Sequence, residues 1–151
     1  MGRAYDELYL RVARNNLAYM LQFAVYELNK DLTEFYNDFI RCGMAARFGA
    51  GESSVVAGMS GAEVAYEVVR RITGKECYIK PKYEVLRSPE YWTGWALAYY
   101  QWYSGKSFEE INNIVPISEI YEMYYPLHEA DITKFVDVMD ERMNKAEKTI
   151  K

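Results

Sequence analysis

The sequence predicts an all-α fold, a single-domain helical bundle (1–151) of five to seven helices around a central aromatic helix at 89–104. Three observations predict it. Apolar residues recur at spacings of three and four over most of the chain, capping patterns precede several of these runs, and only one short segment alternates as a strand would. With 151 residues, half of them hydrophobic and 26% charged, the chain has the length and composition of one globular domain. No apolar run approaches the ~20 residues needed to span a bilayer. The opening MGRAYDELYL lacks the basic and apolar regions of a secretory signal, so a cytoplasmic location without membrane contact is expected.

Residues 4–28 read as a long first helix with two apolar faces, one through Tyr5, Val12, Tyr19 and Phe23, the other through Leu10, Leu17, Leu21 and Leu28. Such a helix belongs in the middle of a bundle. Asp31 with Glu34 forms a capping pattern for a second helix running to about Arg47. Residues 48–59 hold three glycines and two serines and read as a loop, without the Lys-Ser or Lys-Thr of a phosphate-binding loop. Ser60 with Glu63 opens the next helix, which Thr73-Gly74 closes. The segment 75–87, KECYIKPKYEVLR, alternates weakly and allows a small β-hairpin near 77–86, with Tyr83, Val85 and Leu86 on its second strand.

The central helix follows. Ser88 is a good N-cap, Pro89 suits the first helical position, and Gly105 closes the end. Its segment, 87–107, carries all three tryptophans and four of the fifteen tyrosines. Gly94 inside it points to close approach of another helix or of a ligand. Ser107 with Glu110 caps a short helix that Pro116 interrupts, a second short helix runs toward Pro126, and a last long helix starts near Asp131, with a frayed charged tail.

Chemical motifs are scarce. No G-x-S-x-G elbow occurs, and Cys42 and Cys77 have neither metal-ligand spacing nor a local partner, so they read as reduced thiols. No catalytic residue, metal ligand or cofactor is assigned. The one histidine, His128, stands among Glu129 and Asp131; packing or capping at a helix start is the stronger reading, and an enzyme or metal protein centred on His128 is a further alternative. Residues 1–87 carry 12 Lys+Arg against 11 Asp+Glu; residues 88–151 carry 6 against 11. The acidic C-terminal part disfavours nucleic acid. A basic set, Arg70, Arg71, Lys75, Lys80, Lys82 and Arg87, offers the alternative of a nucleic-acid-associated regulator.

Fifteen tyrosines are more phenols than one core readily satisfies, and Tyr, Trp and Arg are the common anchors of protein interfaces. Tyr99, Tyr100, Tyr103, Tyr124 and Tyr125 are therefore the candidate partner-binding residues. In SPEYWTGWALAYYQWYSGKSFEEI and LHEADITKFVDVMDERM the chain resembles a family of small, uncharacterised bacterial proteins, with GMSGAEVAYEV as a third shared block. The resemblance carries an association with toxin–antitoxin-like genes. It implies an antitoxin-like or adaptor-like protein that masks or scaffolds a protein partner, with homodimerisation as an expectation.

Overall fold

Ala13, Leu17, Ala18, Met20, Leu21, Phe23 and Ala24 are fully buried, spread round more than half the circumference of one helix. That helix, α1 (Leu10–Tyr26), is the centre of the molecule. The computed structural model describes residues 2–84 and 86–150, and among these it contains ten α-helices and no strand. A 3-10 turn at Glu7–Tyr9, capped by the Asp6 carboxylate, leads into α1. There follow α2 (Leu32–Arg41), α3 (Met44–Gly49), α4 (Ser53–Val56), α5 (Gly61–Thr73), α6 (Pro89–Ser104), α7 (Phe108–Ile114), α8 (Ile117–Glu122), α9 (Tyr124–Leu127) and α10 (Ile132–Ile150).

The expected aromatic helix is α6, and its largest interface is with α1. The two backbones come close because Gly94 has no side chain: a Cβ there would stand 2.6 Å from the Leu17 carbonyl oxygen and 2.7 Å from Ala18 Cα. Gly61 performs the same service for α5, where a Cβ would stand 2.5 Å from the Asn16 carbonyl oxygen. Thus α1 is gripped on two sides by helices that meet it through glycine. Gly94 answers a helix, not a ligand.

Around this pair lies a second shell. Phe39 of α2, Phe48 of α3 and Phe108 of α7 pack their rings with centroids 5.8–6.2 Å apart. Phe135 of α10 meets Trp92 edge-on at 5.5 Å and Tyr100 at 6.3 Å. The N-terminal segment lies over the end of α6, where Ala4 N donates to Trp102 O and Trp102 Nε1 donates to Tyr5 O, both at 2.8 Å.

Three expectations are corrected. The helix count is ten rather than five to seven, because several are single turns: the second helix breaks at Cys42–Gly43, where Gly43 takes φ +91, and the glycine-rich stretch encloses α4. The tail is helical to Ile150. No strand of the hairpin expected at 77–86 forms among the described residues 75–84 and 86–88, which run as a strap over the helices; Val85 of the expected second strand lies outside the described residues. The physical reason is that α1 supplies what a partner strand would. Gln22 Nε2 donates to Glu84 O at 2.6 Å and Gln22 Oε1 accepts from Leu86 N at 3.0 Å. Tyr83 N donates to the Tyr19 hydroxyl, Lys82 N to the Glu27 carboxylate, and the Tyr66 hydroxyl to Ile79 O. Backbone groups satisfied by side chains need no ladder.

Candidate functional site

The outer face of α6 carries Tyr91, Trp95, Tyr99 and Tyr103, four residues apart and all half-buried. At 100° per residue each step of four turns the position by about 40°, so the rings form a slanting stripe around the helix. Two arginines cover it. The Arg14 guanidinium lies 3.4 Å from the Trp95 ring centroid and 4.8 Å from that of Tyr99, and its Nε donates to Trp95 O. Arg3 lies 4.0 Å above Tyr103 and donates to its carbonyl oxygen. Arg14 Nη2 is buried without a hydrogen-bond partner, so apart from the bond from Nε to Trp95 O the guanidinium is met by the ring faces. Burial pulls this guanidinium down to about 10, still charged at neutral pH.

At its N-terminal end the stripe opens into a groove of about 750 Å³. Tyr91, Trp92 and Trp95 form one wall and Tyr124 the other, while Arg87 and Ser88 sit at the mouth of α6. Tyr124 meets Trp92 edge-on at 6.0 Å and stacks flat on His128, with ring centroids 4.1 Å apart. His128 Nδ1 lies 2.7 Å from Tyr124 O. A carbonyl only accepts, so Nδ1 carries the proton and Nε2 is the acceptor of the neutral ring. The Glu129 carboxylate stands 3.7 Å from Nε2 on the open rim. Among the described residues no three His, Cys, Asp or Glu side chains converge on a metal position.

The five candidate tyrosines separate. Tyr100 is fully buried and its hydroxyl donates to Asp140 Oδ1 at 2.7 Å, which makes it a core residue and corrects its assignment to a partner surface. Burial, and then Asp140, push this phenol well above its ordinary pKa. Tyr99 and Tyr103 belong to the stripe beneath the two arginines. Tyr124 belongs to the groove, and Tyr125 projects beside it, 72% exposed.

The six basic candidates separate too. Arg70 and Arg71 both bond the Glu67 carboxylate, and Arg71 also donates to Cys42 O, so these two are committed to helix α5. Lys75, Lys80, Lys82 and Arg87 form no ion pair among the described residues. They stand on the strap, with Tyr78 87% and Tyr83 67% exposed and Ile79 and Leu86 about half exposed. The sequence reading assigned these apolar residues to a hairpin and so missed their exposure. The signal for it was present in the run of Tyr, Ile, Tyr and Leu between lysines, but a hairpin would have turned part of it inward.

Cys42 and Cys77 are both free and partly covered. Burial raises the Cys42 thiol, which weakens any case for it as a nucleophile. No helix among the described residues is long and apolar enough to cross a membrane. Comparison with known proteins gives no match to this chain from any family model, curated protein or solved structure.

Proposed function

We propose that this protein is a non-enzymatic interaction module whose docking face is the strap 75–88, and that its partner is a protein presenting an acidic, partly apolar segment. One observation carries the reading. Four of the seven large apolar side chains exposed on the described surface, Tyr78, Ile79, Tyr83 and Leu86, stand on this strap, interleaved with the unpaired Lys75, Lys80 and Lys82. Glu76 and Glu84 stand on the strap as well, so its four bases against two acids leave a balance of +2, and apolar anchors with a net positive surround fit a partner of net negative charge. The side chains of α1 and α5 hold the strap in place, so less ordering entropy is lost on docking than a free loop would lose. The role is antitoxin-like or adaptor-like, masking or scaffolding a cytoplasmic protein.

The test is a charge-and-anchor variant, Tyr78→Ser with Lys80→Glu and Lys82→Glu, compared with the parent in chemical crosslinking within the native cytoplasm. The parent is expected to give a specific, salt-sensitive adduct with an acidic protein. The variant, unchanged in helical circular dichroism, is expected to lose it; an adduct of equal yield from both refutes the reading.

The same lysines among exposed tyrosine rings favour a second reading, a nucleic-acid-associated regulator that stacks unpaired bases. Its basic set is reduced to Lys75, Lys80, Lys82 and Arg87, since Arg70 and Arg71 are spent on Glu67. Fluorescence anisotropy with single-stranded oligonucleotides at low salt separates the two readings. Salt-dependent binding lost in the same variant selects nucleic acid, and no binding removes it.

A further inference from the structure

The groove at the start of α6 is distinct from the exposed strap and asks for a different kind of ligand. It is lined by the aromatic residues Tyr91, Trp92 and Trp95 from α6 and Tyr124 from α9, with one face of Trp95 already under Arg14 and one of Tyr124 on His128, and its volume of about 750 Å³ lies within the range of small-molecule sites. Three features at its mouth favour negative charge. Arg87 is held at φ +46, in the left-handed region that a side-chain-bearing residue seldom occupies, and makes no ion pair among the described residues. Ser88, also lining the groove, caps α6 by accepting from Tyr91 N, and Pro89 carries no N–H, so the start of that 16-residue helix offers an anion its dipole and the Glu90 amide. The acid of the same turn, Glu90, accepts from the Tyr26 hydroxyl and lines a separate cleft with Tyr121. Among the described residues the one carboxylate lining the groove is that of Glu129, which lies on the rim and is 89% exposed.

The ring faces and the cationic mouth must be satisfied together. We infer that this groove binds a small planar aromatic anion, with its ring against Tyr91, Trp95 and Tyr124 and its phosphate or carboxylate at Arg87 and the start of α6. His128, whose Nδ1 is already spent on Tyr124 O, keeps Nε2 for a ring N–H or hydroxyl of the ligand, and Glu129 on the rim offers a further acceptor. Nucleotides and aromatic carboxylates share this chemistry. A bare phosphate lacks the ring, and an uncharged nucleoside lacks the anion.

The test titrates the full chain with nucleoside monophosphates, indole-3-carboxylate, the uncharged nucleosides and inorganic phosphate, read by tryptophan fluorescence and calorimetry. Saturable binding is expected from at least one ring-bearing anion, and whether the nucleotides or the carboxylate bind identifies the source. The matching uncharged nucleoside and inorganic phosphate are expected to bind at least about tenfold more weakly. Arg87→Gln, at an exposed position, is expected to keep the parent's circular dichroism and lose about tenfold in affinity. Tyr124→Leu is expected to weaken the ring-bearing anion without changing the response to phosphate. Absence of saturable binding by every aromatic anion, equal binding of the uncharged ring, or unchanged affinity in Arg87→Gln would overturn the assignment.

Discussion

Gly94 shows how a single residue's contribution changes sign with its surroundings. On helix propensity alone Gly94→Ala would stabilise α6 by about 1 kcal/mol. Here the added methyl would press on the Leu17 carbonyl and Ala18 backbone, neither of which can yield as a side-chain tip could. Overpacking of that kind costs about 1–3 kcal/mol, so the variant is expected to be destabilised in urea melts; a stabilised Gly94→Ala would refute the glycine contact. Glu67 gives a residue-scale pH effect. Hydrogen bonds from Arg70, then Arg71, lower its carboxyl from 4.5 to about 2. A depressed folded-state value contributes stability that is fully present above the ordinary value and is lost as pH falls through the folded one. The urea midpoint of the parent is therefore expected to fall between about pH 5 and about pH 2 more steeply than that of Glu67→Gln. Parallel acid profiles for the two proteins would mean that the pair contributes nothing.

At the scale of the element, legibility followed the distance over which each instruction acts. The Ser60–Glu63 and Ser107–Glu110 capping boxes form reciprocally, and Asp31 caps the Glu34 amide, because both partners lie within one turn. The limits of α6 were equally local, set by Ser88, Pro89 and Gly105. The strap was not legible, because the atoms that hold its backbone belong to Tyr19, Gln22 and Glu27, more than fifty residues earlier. The groove was hidden for a similar reason: Tyr124, with His128 stacked on it, reaches Trp92 only once α9 packs on α6. Gln22 is the element's key. Gln22→Ala leaves Glu84 O and Leu86 N without their partners, so the Leu86 amide is expected to exchange with solvent at least about tenfold faster while far-ultraviolet circular dichroism holds. Unchanged exchange at that amide would show that the strap is held by something else.

For the whole molecule, the single core predicts single-step unfolding. All three tryptophans stand on α6, whereas circular dichroism averages over every helix. Because α6 shares its main interface with α1, and α1 also packs on α2, α4 and α5, the central helix cannot be released while the rest stays folded. The fluorescence and circular dichroism transitions in denaturant are expected to coincide, the mark of two-state behaviour in a domain of this size. Separated midpoints would divide the molecule into independent units. The charge of the whole is also polarised, with residues 88–151 carrying 11 acids against 6 bases, so the basic strap stands out against a negative body.

The two glycine contacts on α1 have a mechanical side. A shaft notched by one neighbour at Leu17–Ala18 and by another at Asn16–Met20 can neither slide nor turn without lifting one of them away. It is a fixed datum within the molecule. The strap takes its position from Tyr19, Gln22 and Glu27, which are mounted on that same shaft. The backbone of an irregular segment is thereby aligned by the helix that two neighbours notch.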